Sequence, residues 1–185
     1  MSRIRGSGNK DTELALTRLL RAHGITGWRR QQRLRIEGQK RRAGAARPTN
    51  VGIDFLFPKE RVAVFVDGCF WHGCPKYSHP KKWLKKSAMP TTAGSRQGAK
   101  TQRTGKAFWR EKMAANIARD RFVNRELRRR GWRVVRIWEH ELASNRSQEP
   151  EVRIQKVMEK IRKALDEGRR GKESEEELRL LRLLL

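Results

Sequence analysis

Ten consecutive residues, Val66-Asp67-Gly68-Cys69-Phe70-Trp71-His72-Gly73-Cys74-Pro75, put a carboxylate, two thiols, an imidazole and two large aromatics side by side. His72 could act as a general base, because an imidazole gains and loses its proton near neutral pH. It could equally be a zinc ligand or a structural histidine, and the local pattern leaves the three open. Cys69 and Cys74, with His79 five residues on and His140 far downstream, could close a tetrahedral zinc site. The spacing is not one of the familiar finger spacings, and two buried thiols beside unrelated histidines is the alternative. Asp54 interrupts an otherwise apolar strand-like run, and a break in pattern is where a working residue is expected. With Glu13 reaching in from a helix, Asp54 and Asp67 could bind Mg²⁺ through hard oxygen donors. An ion so held can activate water and offset charge on a scissile phosphate. Asp120 falls in a polar row, Asn116, Asp120 and Asn124, at helical spacing. It could orient His72 through a carboxylate–imidazole hydrogen bond or be an ordinary i,i+4 surface partner. Phe70, Trp71 and Trp109 form an aromatic group flanked by basic segments, the setting in which aromatics wedge between base pairs. Core packing is the competing reading, and it is the one expected for Trp132 and Trp138.

These residues need elements to hold them. Leu16, Leu19, Leu20 and His23 predict a helix over 10–23, stopped by Gly24. Residues 28–47, with eight basic residues against Glu37 alone, read as an extended, partly mobile basic segment ending at Pro48. Ile53–Phe57 and Arg61–Val66 flank Pro58-Lys59-Glu60, a β-hairpin signal. Such pairing could bring Asp54 and Asp67 within several ångströms. Residues 81–106, with eight Lys or Arg and no acid, read as a mobile basic loop. A long helix is predicted over 107–130, with Trp109, Met113 and Ile117 on one stripe and Gly131 as its stop, and Trp132–Trp138 then reads as a strand. Beyond Pro150, Val157, Ile161 and Leu165 suggest an amphipathic helix, and Leu178–Leu185 a further short one. The order helix, two strands, loop, helix, strand, helix favours a three-layer α/β domain with a small mixed sheet. The division expected is a domain over 1–148, carrying basic loops near 28–48 and 81–106, followed by a C-terminal helical extension over 149–185.

Composition narrows the partner. Across 185 residues, 45 Lys and Arg face 20 Asp and Glu, a net charge of +25. That much self-repulsion makes sense against a polyanion whose counterions are released on binding. A generic basic protein of the ribosomal kind is the bland alternative. No basic amphipathic stretch dominates, which argues against a membrane surface. There is no apolar segment behind Met1–Gly6 and no apolar run of about 18 residues, so a cytoplasmic protein is expected. Two cysteines are too few for a disulfide framework.

At Cys69-Phe70-Trp71-His72 the chain resembles the very-short-patch-repair (Vsr) endonucleases, a branch of the PD-(D/E)XK-like, restriction-endonuclease-like nuclease fold. The matching residues are Met1–Gly6, Val64–His72, Phe108–Lys112, Asn116, Arg119-Asp120, Gly131–Val134 and Trp138-Glu139, in family order over roughly 1–142. The resemblance implies nicking of one DNA strand beside a T:G mismatch, leaving a 5′-phosphate, to start short-patch repair. It implies Asp54 as the principal Mg²⁺ ligand and the Val66 backbone carbonyl as a second. Glu13 would act on the metal-bound waters, His72 would be the base and Asp120 its orienting partner. Phe70, Trp71 and Trp109 look like the family's intercalating aromatics. The partners implied are double-stranded DNA, probed at mismatches, and mismatch-repair proteins, with the enzyme a monomer. The chain departs from the family's best-known members at Asp67, where they have His, and at Val66, where they have Thr. Of the family's structural zinc ligands, Cys69 is retained, Cys74 stands for the histidine, Lys76 for the second cysteine and His140 for the last cysteine. Cys69, Cys74 and His140 are therefore the expected zinc ligands, with His79 a weaker fourth. The tail beyond Pro150 lies outside the resemblance.

Two other readings compete. A Vsr-like homing or defence endonuclease would recognise a site instead of a mismatch. A non-catalytic nucleic-acid-binding protein would not need Glu13, Asp54 and Asp120 in a cationic groove, where carboxylates repel phosphate unless a metal intervenes.

Overall fold

Helix formation begins where Leu16 and Leu20 share one face and ends where glycine permits a left-handed turn. In the computed structural model, which describes residues 12–36, 49–76, 105–142 and 150–184, the first helix α1 is Glu13–Ala22. The expectations for Met1–Gly6, for the basic stretches 37–48 and 81–104, and for His79 fall outside the described residues. Gly24, at φ 66°, ends α1: its N–H donates to the Arg21 carbonyl at 3.1 Å and that of Ile25 to Leu20 at 2.8 Å. Gly131, at φ 75°, closes the long helix α2 (Gly105–Arg129) in the same way, with Trp132 donating to Leu127 at 3.0 Å. Both glycine stops fall where expected.

Four strands follow in sheet order: β1 (Arg29–Ile36), β2 (Thr49–Phe57), β3 (Val62–Asp67) and β4 (Arg133–Trp138). β1–β2 and β2–β3 are antiparallel and β3–β4 is parallel, so the sheet is mixed and the fold is α/β. The β2–β3 hairpin and β4 match the expected strands. β1 goes beyond the expectation: part of the segment read as an extended, partly mobile basic stretch is an edge strand. Its exposed and half-buried residues alternate until Ile36 is buried. An edge strand covered in Arg and Gln is a usual defence against edge-to-edge pairing, and that charge hides its period from a hydrophobicity reading.

The packing separates two units, Met1–Asp67 with Val123–Leu185, and Gly68–Phe122. In the first, the β2 and β3 residues Phe55, Phe57, Val62 and Val64 join Val135 and Ile137 of β4, Leu16 and Leu20 of α1, and Leu142 of the short helix α3 (Glu139–Leu142). The last helix, α4 (Pro150–Leu184), adds Val157, Met158, Ile161, Ala164 and Leu165 to the same core, a 3.6-period stripe. Three residues further along this helix, Gly168 touches the β2–β3 turn so closely that a Cβ would sit 2.3 Å from the Glu60 carbonyl oxygen. The expected C-terminal helical extension thus lays its apolar stripe in this core. One expectation is corrected here: Pro150–Leu184 is one helix, with no break before the leucine-rich end. Arg136, between Val135 and Ile137 on β4, projects to the other face and its Nε donates to Asn124 of α2 at 3.0 Å.

The second unit sets the turn after β3 against α2. Gly73 has φ 67°, and a Cβ there would lie 2.7 Å from Ile117 Cδ1; only glycine allows both the turn and the contact. No helix among the described residues is long and apolar enough to cross a membrane.

Candidate active site

The first cluster forms where β2 and β3 part. Their ladder joins Phe55–Phe57 to Val62–Val64. One step further, the Val66 N–H donates at 2.8 Å to Asp54 Oδ2 instead of to a backbone carbonyl. In an extended strand a residue's N–H and C=O leave on the same edge, so the Val66 carbonyl lies on the edge that Asp54 faces.

The opposite neighbour of Asp54 is unusual. Arg30 pairs with Phe55 and Gln32 with Ile53, and the ladder skips Gln31 between them. Gln31 has φ 51°, a left-handed conformation that costs a non-glycine residue roughly 1–3 kcal/mol. Its side-chain amide nitrogen donates at 2.7 Å to Glu13 Oε2 and reaches Asp54 Oδ1 at 3.5 Å. Glu13, at the start of α1, is buried, and the same oxygen takes a 3.0 Å bond from Arg30. A buried carboxylate needs such partners. Arg30 is itself held over the Phe55 ring, 5.9 Å from its centroid. Glu13 and Asp54, 41 positions apart in the chain, are therefore linked through one amide.

The second cluster belongs to the other unit. His72 Nδ1 and Asp120 Oδ2 are 2.6 Å apart, with both side chains partly shielded from solvent. That contact leaves Nε2 as the ring nitrogen for chemistry. The turn is braced by the His72 N–H to the Gly68 carbonyl at 3.2 Å and by Asn116 Nδ2 to the Trp71 carbonyl at 3.1 Å. The polar row on α2 thus has work at each position: Asn116 on the turn, Asp120 on the imidazole, Asn124 on Arg136. Phe70 is exposed and meets Trp71 edge to face at 5.2 Å, while Lys112 lies 5.6 Å from the Trp71 ring centroid. The side chain of Trp109 is outside the described residues. Cys69 and Cys74 are both buried free thiols, joined by a 3.0 Å bond from the Cys74 N–H to the Cys69 carbonyl.

Asp67 stands at the end of β3 as expected, and it is engaged by an arginine. Arg136 Nη1 lies 2.8 Å from each of its oxygens, the guanidinium stacks 4.8 Å from the Phe65 ring centroid, and the carboxylate is buried. The pair ties the end of β3 to β4. Asp67→Ala should cost about 1–3 kcal/mol, because it takes the charged partner from the half-buried Arg136 guanidinium; the urea midpoint measures it, and an unchanged midpoint would refute it. Arg136, Arg30 and Gln31 escaped the sequence reading. Each is a long polar side chain in a chain rich in them, and nothing in residue type marks which ones meet an acid.

The donor types suit two metals. Asp54, Glu13 and a carbonyl are hard oxygens of the kind Mg²⁺ takes, whereas the thiols of Cys69 and Cys74 are soft donors suited to zinc.

Residues 1–77 match the family model of the DNA mismatch endonuclease Vsr. The Vsr-like stretch ends just beyond the Cys-Phe-Trp-His segment and takes in Glu13, Asp54, Val66 and His72. The chain is 40% identical over 88 residues to the type II nicking enzyme V.NaeI of Lentzea aerocolonigenes, covering 48% of this chain and 40% of that one. It is 38% identical over 92 residues to the type II nicking enzyme V.NmeDIP of Neisseria meningitidis serogroup C, covering 50% and 49%. It is 35% identical over 86 residues to the DNA mismatch endonuclease Vsr of Escherichia coli strain K12, covering 46% and 42%. The chain spans about half or less of the length of these relatives.

Proposed function

We propose that the chain is a Mg²⁺-dependent endonuclease that nicks one strand of duplex DNA beside T:G mismatches, on a restriction-endonuclease-like fold. The observation that carries this reading is Asp54 seated where β2 and β3 part, bonded to the Val66 N–H and linked through Gln31 to Glu13. When bound there, a divalent ion supplies an activated water and offsets charge on the phosphate. The Asp54 carboxylate and the Val66 carbonyl would hold it, and Glu13, which accepts a bond from Arg30, would orient the attacking water. His72 takes the proton of the attacking water at Nε2, with Asp120 fixing the ring. Water attacks phosphorus, the bond to the 3′-oxygen breaks, and the downstream strand end keeps the 5′-phosphate while the upstream end leaves as a 3′-hydroxyl. Phe70, Trp71 and Trp109 wedge the mismatch open, and the basic surface tracks backbone phosphates, which adds affinity without sequence information. Cys69, Cys74 and His140, with His79 as a fourth, hold a structural zinc.

Nicking of T:G and matched duplexes with and without Mg²⁺, alongside elemental analysis of the purified protein, tests this. The expected result is a single-strand cut in the T:G duplex that requires Mg²⁺, at least about tenfold slower in the matched duplex, and near-stoichiometric zinc. No metal-dependent product would end the nuclease reading. Equal rates on both duplexes would favour a site-reading nicking enzyme, a reading for which the type II nicking enzymes among the relatives speak.

A further inference from the structure

We infer that Gln31 is a positioning residue that sets the distance between Glu13 and Asp54, so that the two carboxylates address one divalent ion. This rests on the metal-dependent reading above, which uses Gln31 only as a link between the two acids and gives it no role toward the ion.

Three observations converge on it. The amide nitrogen sits between the two acids, 2.7 Å from Glu13 Oε2 and 3.5 Å from Asp54 Oδ1. Both neighbours are carboxylates, which accept only, so the amide must present its nitrogen to them. The residue is also left-handed at φ 51° in mid-strand, and pairing resumes on either side with its register unchanged. No residue is inserted, so the distortion is confined to Gln31 and its facing position, Asp54. An extended residue there would rejoin the ladder, and the observed conformation instead carries the amide to Glu13. Local strain that persists next to a candidate site points to a role there. Arg30 does not duplicate the contact, because it bonds Glu13 and has no bond to Asp54 among those described.

Groups that orient metal-binding acids change metal affinity or activity by about 10–100-fold when removed. Two variants separate positioning from folding. Gln31→Gly deletes the amide and relieves the left-handed backbone. Gln31→Met keeps the length and the backbone demand but cannot donate. Isothermal titration with Mn²⁺ in the absence of DNA, melting temperature, and the Mg²⁺ concentration for half-maximal nicking are the readouts. Both variants should bind Mn²⁺ about tenfold more weakly and need correspondingly more Mg²⁺, while the melting temperature of Gln31→Gly stays level or rises. Wild-type Mn²⁺ affinity in either variant overturns the proposal, as does a loss that appears only with a lowered melting temperature. If the wild type itself neither binds Mn²⁺ nor nicks DNA, it is the nuclease reading that fails.

Discussion

Asp54→Asn should reduce nicking by about 10³-fold or more while the protein folds and binds duplex DNA as before. A metal ion contributes several kcal/mol to a charged transition state, and each 1.36 kcal/mol is a factor of ten. Asparagine keeps an oxygen that can accept the Val66 N–H now bonded at 2.8 Å, so the parting of β2 and β3 is preserved. Alanine would leave that N–H without its acceptor, a cost of about 1–3 kcal/mol if water cannot replace it, and would mix a folding defect with a chemical one. Binding should persist or tighten slightly, because a negative charge is removed from a surface that faces phosphate. Single-turnover nicking and filter binding on the same preparation separate the two effects. A wild-type nicking rate in Asp54→Asn would remove Asp54 from the site.

The second large effect concerns the imidazole. His72→Ala should slow the chemical step by about 10³-fold, within the range of general acid–base catalysis. Asp120→Asn should slow it by about 10²-fold, because the amide can present a donor where the ring needs an acceptor for its Nδ1 proton. The combined variant should be no slower than His72→Ala, since Asp120 acts only through a ring that is then gone. The wild-type rate should rise with pH as the imidazole loses its proton, and His72→Ala should lose that limb. Additive losses would show that the 2.6 Å contact is an ordinary ion pair. An unchanged pH profile in His72→Ala would show that another group takes the proton.

Much of this arrangement is legible in the residues. A strand interrupted by Asp54, glycine stops at 24 and 131, and the polar row Asn116, Asp120, Asn124 all survive in the structure. They are readable because each is a departure from a local period, and periods are short-range. What was not readable depends on pairing over distance. β1 is hidden because its period is written in exposed arginines against half-buried polar residues. The Asp67–Arg136 pair spans 69 positions, and nothing at Asp67 says which of many arginines will meet it. Gln31 is hidden more deeply. Its importance lies in a backbone angle, and glutamine carries no preference for that angle that a reader could exploit. In the tail after Pro150 the apolar stripe Val157, Ile161 and Leu165 is legible as a helix face, but which surface it covers is not, because that depends on packing against strands far away in the chain.

That stripe also bears on how the molecule is made. Val62 and Val64 emerge from the ribosome about ninety residues before Val157, Met158 and Ile161, which cover them. Until α4 has been synthesised, the hairpin's oily side has only part of its cover, from α1, and docking must close a very long loop. The nascent chain therefore passes through an interval of exposed β-surface, the state in which growing polypeptides stick to one another or recruit chaperones. Its high positive charge makes like chains repel through that interval, so the charge that would suit a polyanionic partner also protects the unfinished chain.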